Sequence, residues 1–447
     1  MSEADTLALL EDLIARARTA GADAADAVLV DGVSVSVAWR LGALERLERA
    51  EGGDIGLRVF VGRRQGIVSS ADRSPQALQD LVDRAVALAR TVPEDPYCGL
   101  ADPDQLARDL PDIESRDPVE PSAETLTEMV RAAEDAARAV PGVTNSEGAE
   151  AGWSLTTVAL AASNGFARSY ARTGCSLAAS VIAGAGGDGM ERDYDYTAAV
   201  FREDLRDPAE VGRSAGERAV RRLGARRPRT VKVPVVFDPR VARSLVGHLL
   251  GAINGSAIAR GTSFLKDRMG ERLFPAGLSI IEDPHRHRGL KSRPCDAEGL
   301  PTLRRALVDD GRLTTWLLDL RAARQLGLDS TGHASRSPGS APHPGASNVY
   351  LEPGHASPAD LIADIKEGVY VTELVGQGVN MITGDYSRGA AGFWIENGEI
   401  THPVSECTIA GTLPQMFAAL TPADDLVLRY GTDSPTVRVD GMTVAGQ

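Results

Sequence analysis

Asp385, Tyr386, Ser387 and Arg388 stand in a row between Gly384 and Gly389, in the stretch GDYSRGAAGFWIENGEI (384–400). An acid, a phenol, a hydroxyl and a guanidinium so placed can anchor the polar groups of a peptide. Asn397-Gly398 supplies the positive φ angles that a two-residue turn needs, so FWIENGEITHPV reads as a β-hairpin. Gly384, Gly389 and Gly392 carry no side chain, which lets another backbone approach closely. An exposed strand edge here would hold an extended peptide by main-chain hydrogen bonds. Asp385, Tyr386, Arg388 and, further along, Glu406 are therefore the candidate residues of a peptide path or a partner interface. The competing reading is that Asp385 and Arg388 pair with each other or cap local turns.

Asp283, His285 and His287 are spaced by two, and on a strand they would share one face as potential metal ligands. Pro284 and the basic neighbours make EDPHRHRG read as a loop whose cations oppose a dication. An autonomous metal hydrolase built on these three stays as an alternative. Gly184, Gly186 and Gly189 satisfy G-x-G-x-x-G, but a dinucleotide loop must lead into a helix, and the following MERDYDYTAAVF reads as a strand. Ser214 satisfies G-x-S-x-G inside DPAEVGRSAGERAVRRL, a capped helix rather than a strand-to-helix elbow. His248 lies on the helix after Asp238-Pro239, and the chain contains no His-Glu dipeptide, so a packed or interface histidine is expected. His333, His343 and His355 lie in or beside residues 327–347, rich in Ser, Pro, Gly and His. That stretch is expected to be a long mobile loop with solvated histidines.

The elements that must position these residues are legible in outline. Ser2 caps a helix to about Ala20, SVSVAW (34–39) alternates as a strand, and residues 54–70 read as two strands around a turn. Ser74-Pro75 opens a helix to about Thr91. The expected class is α+β: an N-terminal α+β domain (1–92), a Pro-rich acidic linker (93–121), a central α+β region (122–229) and a β-rich C-terminal domain with few helices (230–447). Asp310-Gly311 marks a further hairpin.

The 447 residues carry a net charge of −14, which argues against nucleic acid or an anionic membrane surface as partner. Aromatics at 4% leave no platform for base stacking. Cys98, Cys175, Cys295 and Cys407 form no C-x-x-C pair. MSEADTLALLEDL lacks the features of a signal peptide and no apolar run approaches a membrane span, so a cytoplasmic location is expected.

The blocks GSAIARGTSFLKDRMGERLF (255–274), GQGVNMITGDYSRGAAGFWIENGEITHPVSE (376–406) and the closing SPTVRVDGMTVAGQ resemble the TldD/PmbA family, in its PmbA or TldE branch. The resemblance covers nearly the whole chain. It implies a heterodimeric metalloprotease in which a TldD-type subunit binds zinc through an H-E-x-x-x-H helix. That peptidase trims leader peptides and degrades small unfolded proteins. The matching helix here, VARSLVGHLLGAING, has Val246, Gly247 and Gly251 where the ligands and the glutamate would fall. Tyr430 stands nearest to the place of a metal-binding cysteine. The resemblance thus implies a metal-free subunit with no catalytic or metal residues of its own, zinc in a TldD-like partner, and peptide substrates. A self-contained peptide-binding homodimer without catalysis is the other reading, and the isolated chain is a possible homodimer.

Overall fold

The computed structural model describes residues 3–185 and 189–446; the expected cap Ser2 and the middle glycine of the G-x-G-x-x-G match, Gly186, lie outside them. The chain is α+β, with a strand-rich C-terminal half, as its patterning predicts. Helix α1 (Glu3–Thr19) buries Leu10, Leu13, Ile14 and Ala17, the stripe of an amphipathic helix. Strands β1 (Ala24–Arg40), β2 (Ala43–Val61) and β3 (Arg64–Ser70) follow. Helix α2 (Pro75–Thr91) begins where the Ser74 hydroxyl accepts the Ala77 amide and Pro75 takes the first turn. Then come α3 (Ala123–Arg138), β4 (Val143–Ala162), β5 (Ala167–Ala183), β6 (Glu191–Ala199) and α4 (Pro208–Arg221).

These strands form one antiparallel sheet in the order β3-β2-β1-β4-β5-β6. The stretches expected as an N-terminal domain (1–92) and a central region (122–229) thus share one sheet: β1 pairs with β4 from Asp26–Ala162 to Trp39–Ala149. The reason is the edge of β1, which would present a long unpaired ladder if residues 1–92 stood alone. Both helix pairs cover the same face. α1 and α2 pack over Leu29, Ile55 and Leu57, while α3 and α4 pack over Val37, Trp153 and Leu177. The strand period of two then puts Val28 and Leu160 on the opposite face, where they meet Phe166 and Cys295. Residues 93–121 hold no helix or strand, yet they are an anchored wrap. Ala101, Ala107 and Ile113 are buried, and the amides of Asp95 and Ala107 donate to the carbonyls of Arg63 (2.7 Å) and Gly299 (2.8 Å).

The C-terminal half opens with β7 (Val231–Phe237), α5 (Pro239–Ala252) and α6 (Gly255–Ala259). Next come β8 (Ile280–Glu282), β9 (Arg305–Asp309), β10 (Arg312–Leu313), α7 (Leu320–Leu326), β11 (Ala334–Ser335), β12 (His343–Pro344) and β13 (Val349–Leu351). It closes with α8 (Pro358–Ile362), β14 (Glu367–Val375), β15 (Asp385–Glu396), β16 (Glu399–Thr412), α9 (Leu413–Ala418), β17 (Leu420–Pro422), β18 (Thr432–Asp433) and β19 (Val437–Ala445). One sheet runs β16-β15-β14-β7-β19-β17 and curls until β16 also pairs with β19; a second runs β10-β9-β8-β13-β18. α5 lays Leu245 and Leu249 into a core shared with Phe237, Val371 and Ile409. Asp310 and Gly311, at φ 45° and 76°, turn β9 into β10.

The stretch 327–347 departs from expectation. β11 pairs with β12, Ala334 is buried, and Arg336 is ion-paired to Asp26 at 2.5 Å, 310 residues away. Its polar residues look solvated in sequence because their partners lie outside the stretch: Asp26 for Arg336, and Glu282 for His333 and Ser347. Among the described residues, no helix is long and apolar enough to cross a membrane.

Candidate functional site beside helix α5

Tyr386 and Arg388 are two apart on β15 and share a face. Tyr386 is 1% exposed, and its ring meets that of His248 edge-on, with centroids 5.9 Å apart at 76°. The Tyr386 hydroxyl, His248 Nε2 and Arg388 Nε have no hydrogen-bond partner among the described residues. Burial, and then the charge of Arg388, pull His248 down to about 4, so its imidazole is neutral near pH 7. Burial pushes the Tyr386 phenol up to about 12 against the opposing pull of Arg388. The cluster thus offers one guanidinium, one neutral imidazole and one neutral phenol. They do not include an activated nucleophile.

The four residues singled out from the sequence do not converge. Asp385 is three residues from Arg388 and faces the other way, so the pairing named in the competing reading does not form. Its carboxylate instead accepts the Thr383 hydroxyl at 2.6 Å, a local turn contact. Glu406 has φ 50° where β16 bulges, and it pairs with Arg227 of the basic stretch 224–229. At Gly392 a Cβ would collide with the Tyr370 carbonyl. The close backbone that this glycine admits is the chain's own β14.

On α5, Val246 is buried, whereas Gly247 and Gly251 are exposed. A Cβ at Gly247 would meet nothing within 4 Å, and at Gly251 the nearest atom would be Met381 Cε at 3.3 Å. None of these three side chains has a nitrogen, oxygen or sulfur donor, so the residues do not fit a zinc ion. Asp283, His285 and His287 are also dispersed. Asp283 accepts the His285 amide at 3.0 Å, the His285 ring bonds Thr302 at 2.9 Å, and His287 is exposed. Among the described residues, no group of three or more His, Cys, Asp or Glu is arranged for a metal. Ser214 lies within α4, where its hydroxyl accepts from Arg218 at 3.3 Å. Tyr430 stacks on Tyr196 with centroids 4.6 Å apart and donates to the Tyr196 carbonyl.

Two buried polar clusters had no signal in the sequence. His333, expected to be solvated, is 2% exposed and bonded to Glu282, which also accepts the Ser347 amide (2.6 Å) and hydroxyl (2.8 Å). Burial pushes the Glu282 carboxyl up, but His333 and Ser347 outweigh it and hold the group at about 2. In the second cluster, Arg58 and Arg336 share the one carboxylate of Asp26. Glu298 stands nearby, pushed up to about 8 by burial and by the charge of Asp296. The sequence separations involved, 32 residues for Asp26–Arg58 and 310 for Asp26–Arg336, put such pairings beyond local pattern.

Residues 230–446 match the family model of the PmbA/TldA metallopeptidase C-terminal domain, 116–223 the central domain and 25–89 domain 1. The chain is 41% identical to metalloprotease PmbA of Escherichia coli O157:H7, over 95% of this chain and 93% of that one. The chain belongs to the PmbA/TldD family. Within it, the PmbA homologue of Haemophilus influenzae is 38% identical over 96% of this chain and 94% of its own. A solved structure from Bacteroides thetaiotaomicron, a candidate modulator of DNA gyrase, superposes with a TM-score of 0.91 at 27% identity and covers 98% of both chains. TldE from Thermococcus kodakarensis shares the fold, with a TM-score of 0.85 at 21% identity, over 98% of this chain and all of that one. These likenesses place the chain in the PmbA branch of a metalloprotease family.

Proposed function

We propose that this chain is the metal-free, TldE-like subunit of a zinc-dependent heterodimeric peptidase, and that it shapes the partner's cleft instead of supplying catalytic groups. The observation that carries this reading is the composition of α5. By the family resemblance, Val246, Gly247 and Gly251 stand where the two zinc ligands and the glutamate of a TldD-like chain would fall, and none of the three side chains has a donor atom. Zinc would reside in the TldD-like partner. Gly247 and Gly251 expose the helix backbone, which admits a partner or an extended peptide at close range. Arg388, half-buried on β15, would be a polar anchor near that path, with leader peptides and small unfolded proteins as substrates.

The test is elemental analysis of the tag-free chain alone and after mixing with a TldD-like chain, with peptide cleavage read in parallel. The reading expects near-zero zinc and no cleavage alone, with both appearing in a stable mixed complex. About one zinc per isolated chain, or cleavage by it, would overturn the reading.

A further inference from the structure

A cavity of about 340 Å³ lies where the uncovered face of the N-terminal sheet meets residues 291–297 and 334–346. Its floor is a ladder across three strands, Val30 opposite Val158 and Val158 opposite Tyr170. The strand period brings Arg168 and Arg172 to the same face on either side of Tyr170, both exposed at the rim. Arg293 and Arg336 line the cavity from the C-terminal half. Arg293 gives its terminal nitrogens to the carbonyls of Ala334 (3.1 Å) and Gly345 (2.6 Å).

Charge does not balance around this cavity. The side chain of Arg336 is 1% exposed. One terminal nitrogen bonds Asp26, while Nε and the other terminal nitrogen have no partner among the described residues. Arg58 claims the same Asp26 carboxylate. Lys291 also lines the cavity, but its ammonium donates to the Thr432 hydroxyl at 2.9 Å beside Asp433; the one acid in the lining, Asp296, already accepts the amides of Glu298, Leu300 and Ala334. A buried cation without its counter-charge is costly, and a carboxylate is the group that a guanidinium fork best receives.

We propose that this cavity binds a small organic carboxylate with an apolar body, the carboxylate on Arg336 and the hydrocarbon over Val30, Val158 and Tyr170. A volume of 340 Å³ is at the small end of ligand pockets. That suits a short peptide's C-terminal residue or a free arylalkyl acid, which present the same chemistry. The site lies within this chain, so it does not depend on the heterodimer reading.

The test is isothermal titration calorimetry on the full chain with N-acetyl-leucyl-phenylalanine, its C-terminal amide, and phenylpropionate. The peptide acid should bind at one site, at least about tenfold tighter than the amide, and more weakly as salt rises. Phenylpropionate binding as tightly as the peptide acid would assign the site to free acids; binding about tenfold weaker would assign it to a peptide terminus. Arg336→Gln should abolish the heat. Because Arg336 also holds Asp26, a variant with Arg168→Gln and Arg172→Gln at the exposed rim provides a second reading and should lose affinity several-fold. Equal affinity for acid and amide, no heat from either acid at millimolar concentration, or unchanged affinity in the rim variant would overturn the proposal.

Discussion

The half-buried cluster beside α5 and the buried cluster around Asp26 both contain arginine, and they handle charge in opposite ways. Beside α5, His248 faces Arg388 with no carboxylate bonded to either among the described residues, and the histidine gives up its proton. Around Asp26, two arginines bracket one carboxylate, and the neighbouring Glu298 keeps its proton. In each place burial disfavours the charged form, and the titratable group with the least help from its neighbours turns neutral. The difference teaches where each site can receive a ligand. The α5 cluster holds neutral groups around one cation, while the Asp26 side carries surplus positive charge that the proposed anion would meet.

The largest effect that would break this comparison is expected from Asp26→Ala. It strands Arg58 and Arg336 without a counter-charge, and removing one partner of a buried ion pair costs about 3–5 kcal/mol. Urea denaturation at neutral pH measures it, and a loss below about 1 kcal/mol would mean that the cluster is solvated in practice. Next comes the pH dependence of Glu298. The folded chain holds this proton to about pH 8, whereas an ordinary glutamate releases it near 4.5. The stabilisation is therefore complete below 4.5 and is lost as pH rises through 8. The raised Asp296 carboxyl adds a shift of the same sign. Glu298→Gln should flatten that part of the stability profile, and an unchanged slope would assign it to other groups.

His248 should act in the reverse sense. An ordinary histidine takes up its proton near 6.5, the folded chain only near 4, so stability is lost as pH falls from 6.5 towards 4. His248→Phe should remove that acid-side decline while leaving the alkaline side intact, as read from urea midpoints across the two ranges. The smallest effect concerns β15. In the assembled complex, Arg388→Ala should lower peptide cleavage several-fold, whereas Asp385→Ala should leave cleavage and thermal midpoint unchanged, because its one side-chain partner is the local Thr383. Equal effects from the two would erase the distinction between the faces of β15.

Local chemistry was readable wherever neighbours in sequence decide the outcome. The caps at Ser74, Asp207 and Asp238 start helices at the following prolines, Asn397-Gly398 turns a hairpin, and the donor-free positions Val246, Gly247 and Gly251 are visible as letters. The α+β class and the family follow from such runs. Tertiary structure alone decided what depends on distance along the chain: that residues 24–70 and 143–199 share one sheet, that the Ser- and Pro-rich stretch 327–347 is pinned, and that His333 is buried on Glu282. It also decided that Asp385 turns away from Arg388 while Tyr386 and Arg388 meet His248. The physical reason is that an isolated Arg, His or Asp in a polar stretch carries no mark of burial. Its environment is supplied by strands and loops folded back over it from 32 to 310 residues away.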